Sequence, residues 1–380
     1  MKNNLNNFVD NFFIENNIKY VLISAEILKI LNLKHTGRDI TQDLELFLNQ
    51  KFLSLLNLTF SEKIVFYYSE VLTEEILTIV HNYFRNKCCN IENIVFLTST
   101  SGLKTYYKNF CNLYRTNGMT IVEIPMIDLV HKFCNNLSQK KIHKNIKRKF
   151  SIYGGTYDID PPERTFLLLL LSQFAESSNI EILSKCKPET NLRNWLERET
   201  FFVNSEFVEH YCNLHKTFID DKLNLSDSLK LKINKTAVSN EPFGANKYQE
   251  TMDSHCLFNL VRETINFQSF AYISEKTFRC FYNHVIPIPI VGKEIIEDFK
   301  RFGFWIDTDF VDYSYLQADL FVDRANALAA NIRNLDNLSI RDLSDYYNSN
   351  IAGFEHNQRL VVDWPNQLEK ILKEKFDNHK

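Results

Sequence analysis

Residues 63–68, Lys63-Ile64-Val65-Phe66-Tyr67-Tyr68, form a short apolar run of the kind found in buried strands. A stretch with helical spacing of its apolar residues, Thr73 to Phe84, follows it, and Asn93 to Leu97 is the next apolar run. Strands that alternate with helices of about 10–15 residues predict right-handed crossovers and a parallel sheet. These runs therefore indicate an α/β fold.

The same alternation extends in both directions along the chain. In the first half the spacing predicts strands over 19–23 and 119–124 and helices over 42–56, 103–114 and 126–137. In the second half it predicts strands over 150–153, 256–261 and 304–306, an extended segment over 285–291, and helices over 164–175, 275–282, 293–302, 313–333 and 364–376. Two prolines, Pro287 and Pro289, argue against a central strand at 285–291. The less periodic region 186–250 predicts short helices and loops.

A chain of 380 residues suggests two domains with an added helix. The predicted divisions are 1–148 and 149–345, two α/β domains, and 346–380, a helical tail. The densest basic run, Lys140 to Lys149, lies where the first of these ends. It is either a solvated linker or surface helix, or a rim that attracts an anion such as a nucleotide or DNA.

The composition is that of a globular protein, with 44% hydrophobic and 24% charged residues, which excludes a disordered or collagenous chain. The net charge of 44 − 47 = −3 gives no overall reason to expect binding to nucleic acid or to an anionic membrane. The eight cysteines show no C-x-x-C spacing, which argues against a structural zinc site and is typical of a reducing compartment. The most apolar run, Phe166 to Leu171, is too short to span a bilayer. We expect a cytoplasmic protein without a membrane span.

The sequence lacks the motifs of several common nucleotide-binding, hydrolase and metal sites. The sequence has no G-x-G-x-x-G, no G-x-x-x-x-G-K-[ST], no G-x-S-x-G and no H-E-x-x-H. His210 and His215 are five residues apart, which is not the spacing of a helical metal pair. Two D-x-D sequences, at Asp158–Asp160 and Asp307–Asp309, have a form that can hold a metal-bound diphosphate, but the pattern is common by chance. No metal site is predicted.

The strongest group of candidate residues is Ser274-Glu275-Lys276, which opens a predicted helix after the strand 256–261. A helix N-terminus presents free N–H groups and a positive partial charge, and so favours a phosphate. Lys276 adds a full charge that is unfavourable there unless an anion is present, and Glu275 is suited to ribose hydroxyls. Arg164, at the start of another helix, is a candidate for a second phosphate contact. The alternative is that Ser274 only caps the helix and the two charges lie on the surface.

The residues around this group show a resemblance to a known family. Residues 271–276, Ala-Tyr-Ile-Ser-Glu-Lys, resemble the Y-x-[ST]-E-K signature of the α-1,3-fucosyltransferases. Residues 258–264 are similar to the strand and turn that precede that signature, 286–292 to the V-P-V-x-x-G strand that follows it, and 151–164 to the strand, loop and Arg-initiated helix. Phage-encoded glycosyltransferase-like proteins are more similar still, because they share S-E-K-T-[FW], a Pro-containing strand and a G-F turn such as Gly303-Phe304.

The resemblance covers roughly residues 150–330 and implies a glycosyltransferase with two Rossmann-like domains that face each other across a cleft, the GT-B arrangement. It implies that 1–148 is an acceptor-side Rossmann-like domain and that 149–345 is the nucleotide-sugar-binding domain, which holds the donor. It further implies that Arg164 and Lys276 bind the diphosphate, that Glu275 binds the ribose, and that Tyr272 and Glu263 line the donor pocket.

Two departures from the family limit which of its properties can be transferred. Thr264 replaces the usual Asn, and the loop Ile265 to Phe270 has no counterpart in the signature. The family's preferences for guanosine and fucose are therefore not expected to apply to this chain.

The expected mechanism is an inverting transfer from a nucleoside-diphosphate sugar. Cations and helix dipoles would stabilise the leaving diphosphate, so that no cofactor or divalent metal is required. A carboxylate would deprotonate the acceptor hydroxyl. Glu70, which follows the strand 64–68, is the first candidate for this base, and Asp158 and Asp160 are its rivals.

Three functions are compatible with these residues. The first is sugar transfer to a glycan or small acceptor. The second is a DNA glycosyltransferase that acts on hydroxymethylated pyrimidines, which would need an aromatic-lined cleft for a flipped base. The third is a non-catalytic protein that binds a nucleotide or sugar.

Overall fold

The structure is a computed structural model, and it describes residues 12–18, 20–22, 41–52, 64–68, 74–87, 90–124, 137–153, 162–175, 180–183, 191–200, 204–223, 253–261, 271–290 and 292–376. The chain is a mixed α/β protein, as predicted, and divides into two compact units. Unit 1 comprises Met1–Lys132, Phe270–Ile273 and Pro365–Lys380, and unit 2 comprises Phe133–Ser269 and Ser274–Trp364. The predicted domain limits at residues 148 and 345 stay predictions.

The elements are named in chain order. Those up to residue 123 are β1 (Tyr20–Leu22), α1 (Thr41–Phe52), β2 (Ile64–Tyr68), α2 (Glu74–Lys87), β3 (Ile94–Thr98), β4 (Thr100–Ser101), α3 (Leu103–Tyr114) and β5 (Thr120–Glu123). Those that follow are β6 (Arg148–Tyr153), α4 (Pro162–Phe174), β7 (Ile180–Leu183), α5 (Leu192–Glu199), α6 (Ser205–Leu223), β8 (Cys256–Val261), β9 (Ala271–Tyr272), α7 (Glu275–Tyr282), β10 (Ile286–Pro289), α8 (Ile295–Arg301), α9 (Phe321–Asp336), α10 (Ile340–Ser349) and α11 (Ile351–Phe376).

Unit 1 contains a parallel sheet with the strand order β1-β2-β3-β5. Every residue of β3 is buried, as expected for a strand with neighbours on both sides and helices over the sheet. The apolar side of α2 packs on this sheet, and Phe84 meets Phe66 of β2 edge-on at a ring-centroid distance of 4.5 Å. The short strand β9 also belongs to this unit, because it pairs antiparallel with β4. The parallel sheet predicted from the apolar runs is thus confirmed.

Unit 2 contains a second parallel sheet, with the order β10-β8-β6-β7. All six residues of β8 are buried, and its one amide side chain, Asn259, donates to Ser151 Oγ of β6 at 2.7 Å. The apolar helix α4 is also buried, as predicted. Its Phe166 contacts the rings of Trp195, Tyr211 and Phe321 at centroid distances of 5.6, 4.7 and 5.1 Å, so that α5, α6 and α9 surround it.

Strand β10 lies at an edge of this sheet, which confirms that its prolines exclude a central position. Pro287 and Pro289 have no N–H to give to a further strand, and their carbonyls accept hydrogen bonds from the hydroxyls of Tyr313 (3.0 Å) and Tyr315 (2.7 Å). Both tyrosines are buried, and burial raises the pKa of each phenol, so that the hydroxyls remain protonated donors. Side chains therefore close this edge where a strand would otherwise pair.

The predicted strand at 304–306 is wrong. The backbone of Trp305 is paired with a side chain instead of a strand: its N–H donates to Asn357 Oδ1 at 2.7 Å, and its carbonyl accepts from Asn357 Nδ2 at 2.8 Å. Asn357 lies on α11, which begins at Ile351 and includes the shorter helix predicted over 364–376.

Two further helix predictions need correction. The helix predicted over 313–333 starts only at Phe321, after the 3-10 helix Ser314–Gln317. In the region for which short helices were expected, α6 has 19 residues. The part of the helix predicted over 126–137 that precedes residue 137 lies outside the described residues. Within the described part of the chain, no helix combines the length and the apolar character that a bilayer span requires.

We predict that Gly353→Ala destabilises the protein, although alanine normally favours a helix interior by about 1 kcal/mol over glycine. A Cβ at Gly353 would lie 2.7 Å from Cε2 and Cε3 of the Trp305 indole, closer than carbon atoms can approach. We expect a loss of about 1–3 kcal/mol in the free energy of unfolding, measured by urea denaturation.

The double variant Gly353→Ala/Trp305→Phe supplies the control, because the smaller ring leaves room for the added methyl group. It should lose less than the sum of its two single variants. A Gly353→Ala variant as stable as the parent would show that the close contact does not exist.

Candidate functional site

Ser274 caps helix α7 in unit 2. It is 1% exposed, its backbone is extended (φ −106°, ψ −178°), and its Oγ accepts a hydrogen bond from Lys276 N at 3.2 Å. Residues Thr277 to Tyr282, the rest of the helix, are buried. A buried hydroxyl of the chain itself thus supplies the cap oxygen. The predicted capping role of Ser274 is therefore confirmed.

Glu275 and Lys276 form an ion pair at the start of α7. Lys276 Nζ lies 3.2 Å from Glu275 Oε1 and 3.4 Å from Ser274 Oγ, and each charged side chain is 25% exposed. Burial by itself raises the pKa of Glu275. This effect is outweighed by the charges of Lys276 and Arg279 and by hydrogen bonds from the backbone and from Lys276. The pKa of Glu275 therefore lies below its ordinary value. The anion that Lys276 needs in a first helical turn is thus supplied by Glu275.

The topology places this group at one edge of the unit 2 sheet. Strand β8, helix α7 and strand β10 form a parallel crossover unit, in which the helix starts on the side where the strands have their carboxyl ends. Ligands of open α/β sheets bind on that side. A diphosphate bound here would contact Lys276 and would compete with the Glu275 carboxylate for Nζ.

The other predicted site residues are described only in part or not at all. Tyr272 belongs to β9 and pairs with Thr100, and Arg164 stands in the first turn of α4, but the side chains of both are outside the described residues. Glu70, Asp158 and Glu263 also lie outside them, as does Asp160. The structure thus brings Ser274, Glu275 and Lys276 together, and the roles of the other residues stay predictions.

The described D-x-D sequence, 307–309, forms a local turn. Asp307 Oδ1 accepts from the N–H groups of Asp309 and Phe310, both at 3.0 Å, and its Oδ2 accepts from the Tyr346 hydroxyl at 2.8 Å. Both carboxylate oxygens are therefore used within the fold. Among the described residues, no three His, Cys, Asp or Glu side chains are grouped as a metal site would require.

The basic run Lys140 to Lys149 is not a helix: residues 140–147 have no regular structure, as the linker alternative expects, and Lys141 and Lys147 are exposed, whereas Lys144 and Lys149 make internal contacts. Its backbone donates hydrogen bonds to the carbonyls of 254–255, and Lys144 Nζ donates to two carbonyls around the start of β8, one of them at 2.8 Å. Lys149 Nζ lies 3.5 Å from the carboxylate of Asp336, and both side chains are largely buried. Burial lowers the pKa of Lys144 to about 8. Lys144 and Lys149, two of the cations expected to attract an anion, thus make contacts inside the protein.

Buried polar groups hold the far end of α7. Arg279 Nε lies 3.6 Å from Asp253 Oδ2, which also accepts from Asn283 Nδ2 at 2.7 Å. The next residue, His284, has a left-handed backbone (φ 58°), is 2% exposed and shares a hydrogen bond of 2.9 Å with the Tyr347 hydroxyl. Helix α7 is therefore fixed at both ends.

Glu294 is a polar residue near the same sheet edge that sequence reasoning missed. It follows the extended segment that contains β10 and precedes α8, and its Oε2 is buried without a hydrogen-bond partner among the described residues. Its place soon after a strand end is a signal that the sequence contains, whereas its burial is visible only in the structure.

Comparisons of the chain with protein-family models, with curated proteins and with solved structures found no match. The resemblance to the α-1,3-fucosyltransferases therefore depends on the quoted residues alone.

We predict that Ser274→Ala lowers the free energy of unfolding by about 1–2 kcal/mol, because the variant leaves the Lys276 N–H without its acceptor in a buried setting. Urea denaturation measures the loss. Ser274→Thr retains a hydroxyl oxygen and should lose less. Equal losses in the two variants would contradict a capping role.

We predict that His284 makes the protein sensitive to acid. Burial, together with the charges of Lys144 and Lys140, lowers the pKa of His284 from its ordinary 6.5 to about 4. As the pH falls from 6.5 towards 4, the unfolded chain takes up a proton that the folded chain refuses, so stability decreases. From about pH 7 to about pH 5 the loss due to this group should reach about 2 kcal/mol.

His284→Asn tests this pH dependence, because asparagine tolerates a left-handed backbone. Its free energy of unfolding should change less over the same pH interval than that of the parent, whatever its absolute stability. His143→Asn, which removes an exposed histidine, should keep the parent's pH dependence. The same pH dependence in the parent and the His284 variant would refute the assignment.

Proposed function

We propose that the chain is a cytoplasmic glycosyltransferase that transfers a sugar from a nucleoside-diphosphate sugar to a hydroxyl acceptor, with inversion and without a metal ion. The observation that carries this proposal is the start of α7, where a Ser274-capped helix at the carboxyl edge of a parallel sheet presents Glu275 and Lys276 together. The resemblance adds the GT-B arrangement to the proposal, with two Rossmann-like domains facing across a cleft and the donor held mainly by the C-terminal one.

The proposed roles follow from charge. Lys276, Arg164 and the α7 dipole stabilise the negative charge that develops on the leaving diphosphate. When the diphosphate takes over Lys276, the Glu275 carboxylate is released to accept hydrogen bonds from the ribose hydroxyls. Tyr272 and Glu263 line the donor pocket in this proposal.

The acceptor hydroxyl loses its proton to a carboxylate as the sugar is transferred. Glu70 and Asp158 are the proposed candidates for this base. The acceptor is a glycan or a small molecule.

The DNA-modifying alternative receives less support from the described residues. The basic run favoured it, and Lys144 and Lys149 of that run are engaged in internal contacts. Phosphate contacts give a steep dependence of affinity on salt, because each one releases counterions from the duplex. Duplex affinity that falls about 10³-fold or more between roughly 50 and roughly 200 mM salt would therefore restore this alternative. Nucleotide binding without transfer to any acceptor would select a non-catalytic protein.

We predict that one of UDP, GDP, CDP and ADP, or a sugar derivative of one of them, raises the melting temperature, and that Lys276→Ala abolishes this shift. A ligand at about 100 times its Kd stabilises the folded state by about 2.7 kcal/mol. Differential scanning fluorimetry with and without EDTA measures the effect, and the shift should persist in EDTA.

Lys300→Ala is the matched control, because this lysine of α8 is 49% exposed and pairs only weakly with Glu297 at 3.3 Å. It should keep the full shift. A panel in which no nucleotide stabilises the parent, or in which the Lys276 variant responds like the parent, would overturn the proposal.

A further inference from the structure

The turn at 292–294 follows the carboxyl end of β10. Strand β10 ends at Pro289, and Ile290 N still donates to Val261 O of β8 at 3.1 Å, so the chain remains aligned with the sheet up to this point. Gly292 is buried, and Glu294 is the last residue before α8. Glu294 therefore stands on the side of the sheet where open α/β folds bind ligands.

The Glu294 carboxylate has an acceptor atom that the described part of the chain does not use. Its side chain makes no capping hydrogen bond to α8, and its Oε2 is buried without a partner among the described residues. Burial and the negative charge of Asp298 raise the pKa of this carboxyl group, against the opposing effects of its own backbone N–H, Lys293 and Arg324. A buried acceptor without a donor is costly, and native proteins keep such groups where a ligand or a bound water completes them.

Arg324, whose charge acts on Glu294, is held by hydrogen bonds of its own. Arg324 is 5% exposed, and its Nε and Nη2 both donate to the carbonyl of Ala318, at 3.0 and 2.7 Å. Tyr315 is fully buried and holds Pro289 O through its hydroxyl.

The chemistry of a single carboxylate limits what it can bind. It repels the phosphates of a nucleotide, whereas neutral hydroxyl groups are donors that suit its two oxygens. Glu275, another carboxylate at this edge, pairs with Lys276 at 3.2 Å in the free protein. In the proposed function Glu275 binds ribose hydroxyls once a diphosphate is bound, so Glu294 either shares the ribose with it or faces the transferred sugar. We propose that Glu294 binds a pair of neighbouring hydroxyl groups of the nucleotide sugar, either those of the ribose or those of the transferred sugar. This inference rests on the proposed function.

Isothermal titration of the parent and of Glu294→Gln tests the proposal. The probes are GDP and UDP, their 2′-deoxy forms, GDP-fucose and UDP-glucose. If Glu294 binds the ribose, the variant should bind GDP or UDP about 10- to 100-fold more weakly, and the deoxy forms should bind parent and variant alike. If Glu294 binds the transferred sugar, only GDP-fucose or UDP-glucose should lose that affinity.

Glu297→Gln is the matched control, because this glutamate of α8 has a side chain that is 77% exposed. It should bind all probes as the parent does. A Glu294 variant that also binds every probe as the parent does would overturn the inference and leave the proposed function intact. Failure of the parent to bind any probe would overturn the inference, and the proposed function would fall with it only if CDP, ADP and their sugar derivatives also fail to bind.

The parent alone provides a second test in case the variant does not fold. It should prefer a ribonucleotide to its 2′-deoxy form, or a sugar nucleotide to the free nucleotide. The absence of both preferences would refute the inference without any variant.

Discussion

The need to pair the N–H groups at the buried start of α7 is the constraint on which the candidate site depends. Ser274 and residues 277–282 are buried in unit 2, Glu275 and Lys276 between them are partly exposed, and Ser274 Oγ supplies the acceptor for the Lys276 N–H. At the other end of the helix, Asp253 meets both Arg279 and Asn283. With both ends fixed, the helix has little freedom to rotate or slide. Glu275 and Lys276 are consequently held beside each other where the chain enters the helix.

Backbone groups also require hydrogen-bond partners at the edge of the sheet in unit 2. Pro287 and Pro289 give β10 no N–H groups for another strand, while their carbonyls still require donors, which Tyr313 and Tyr315 provide. The segment after α8 follows a similar rule, since the amide of Asn357 satisfies both backbone groups of Trp305. Side chains thus replace strand pairing at two places in this unit, and the buried tyrosines hold the chain where it leaves β10.

Local spacing was enough to predict most elements, and long-range contacts account for the errors. The apolar runs at β2, β3 and β8 and the helical spacing of α3 depend on residues close in the sequence, and each element was predicted within two residues of its ends. The strand predicted at 304–306 failed because its backbone partner, Asn357, lies about fifty residues further on. Helix α10 was not predicted, although Ser339 and Asp342 form a capping box that the sequence shows.

The candidate site was predictable where it depends on neighbours in the sequence. The cap by Ser274 was expected on those grounds. The ion pair of Glu275 with Lys276 and the buried Oε2 of Glu294 became visible only once the chain was folded, because both depend on how deeply the side chains are buried. The two carboxylates therefore differ in what they pair with. Glu275 balances a charge within the chain, whereas Glu294 has an acceptor that the described residues leave unused.

Charge balance sets a requirement for any diphosphate bound at this edge. Lys276 and Glu275 together carry no net charge, and Arg279 is balanced by Asp253 in the interior. A diphosphate that displaces Glu275 from Lys276 gains one cation and leaves a carboxylate nearby, so Lys276 by itself neutralises too little of the incoming charge. A second cation is therefore required, and Arg164, in the first turn of α4 in the same unit, is the residue that the sequence offers for it. In the proposed function, diphosphate binding would therefore draw on the starts of α7 and α4 together.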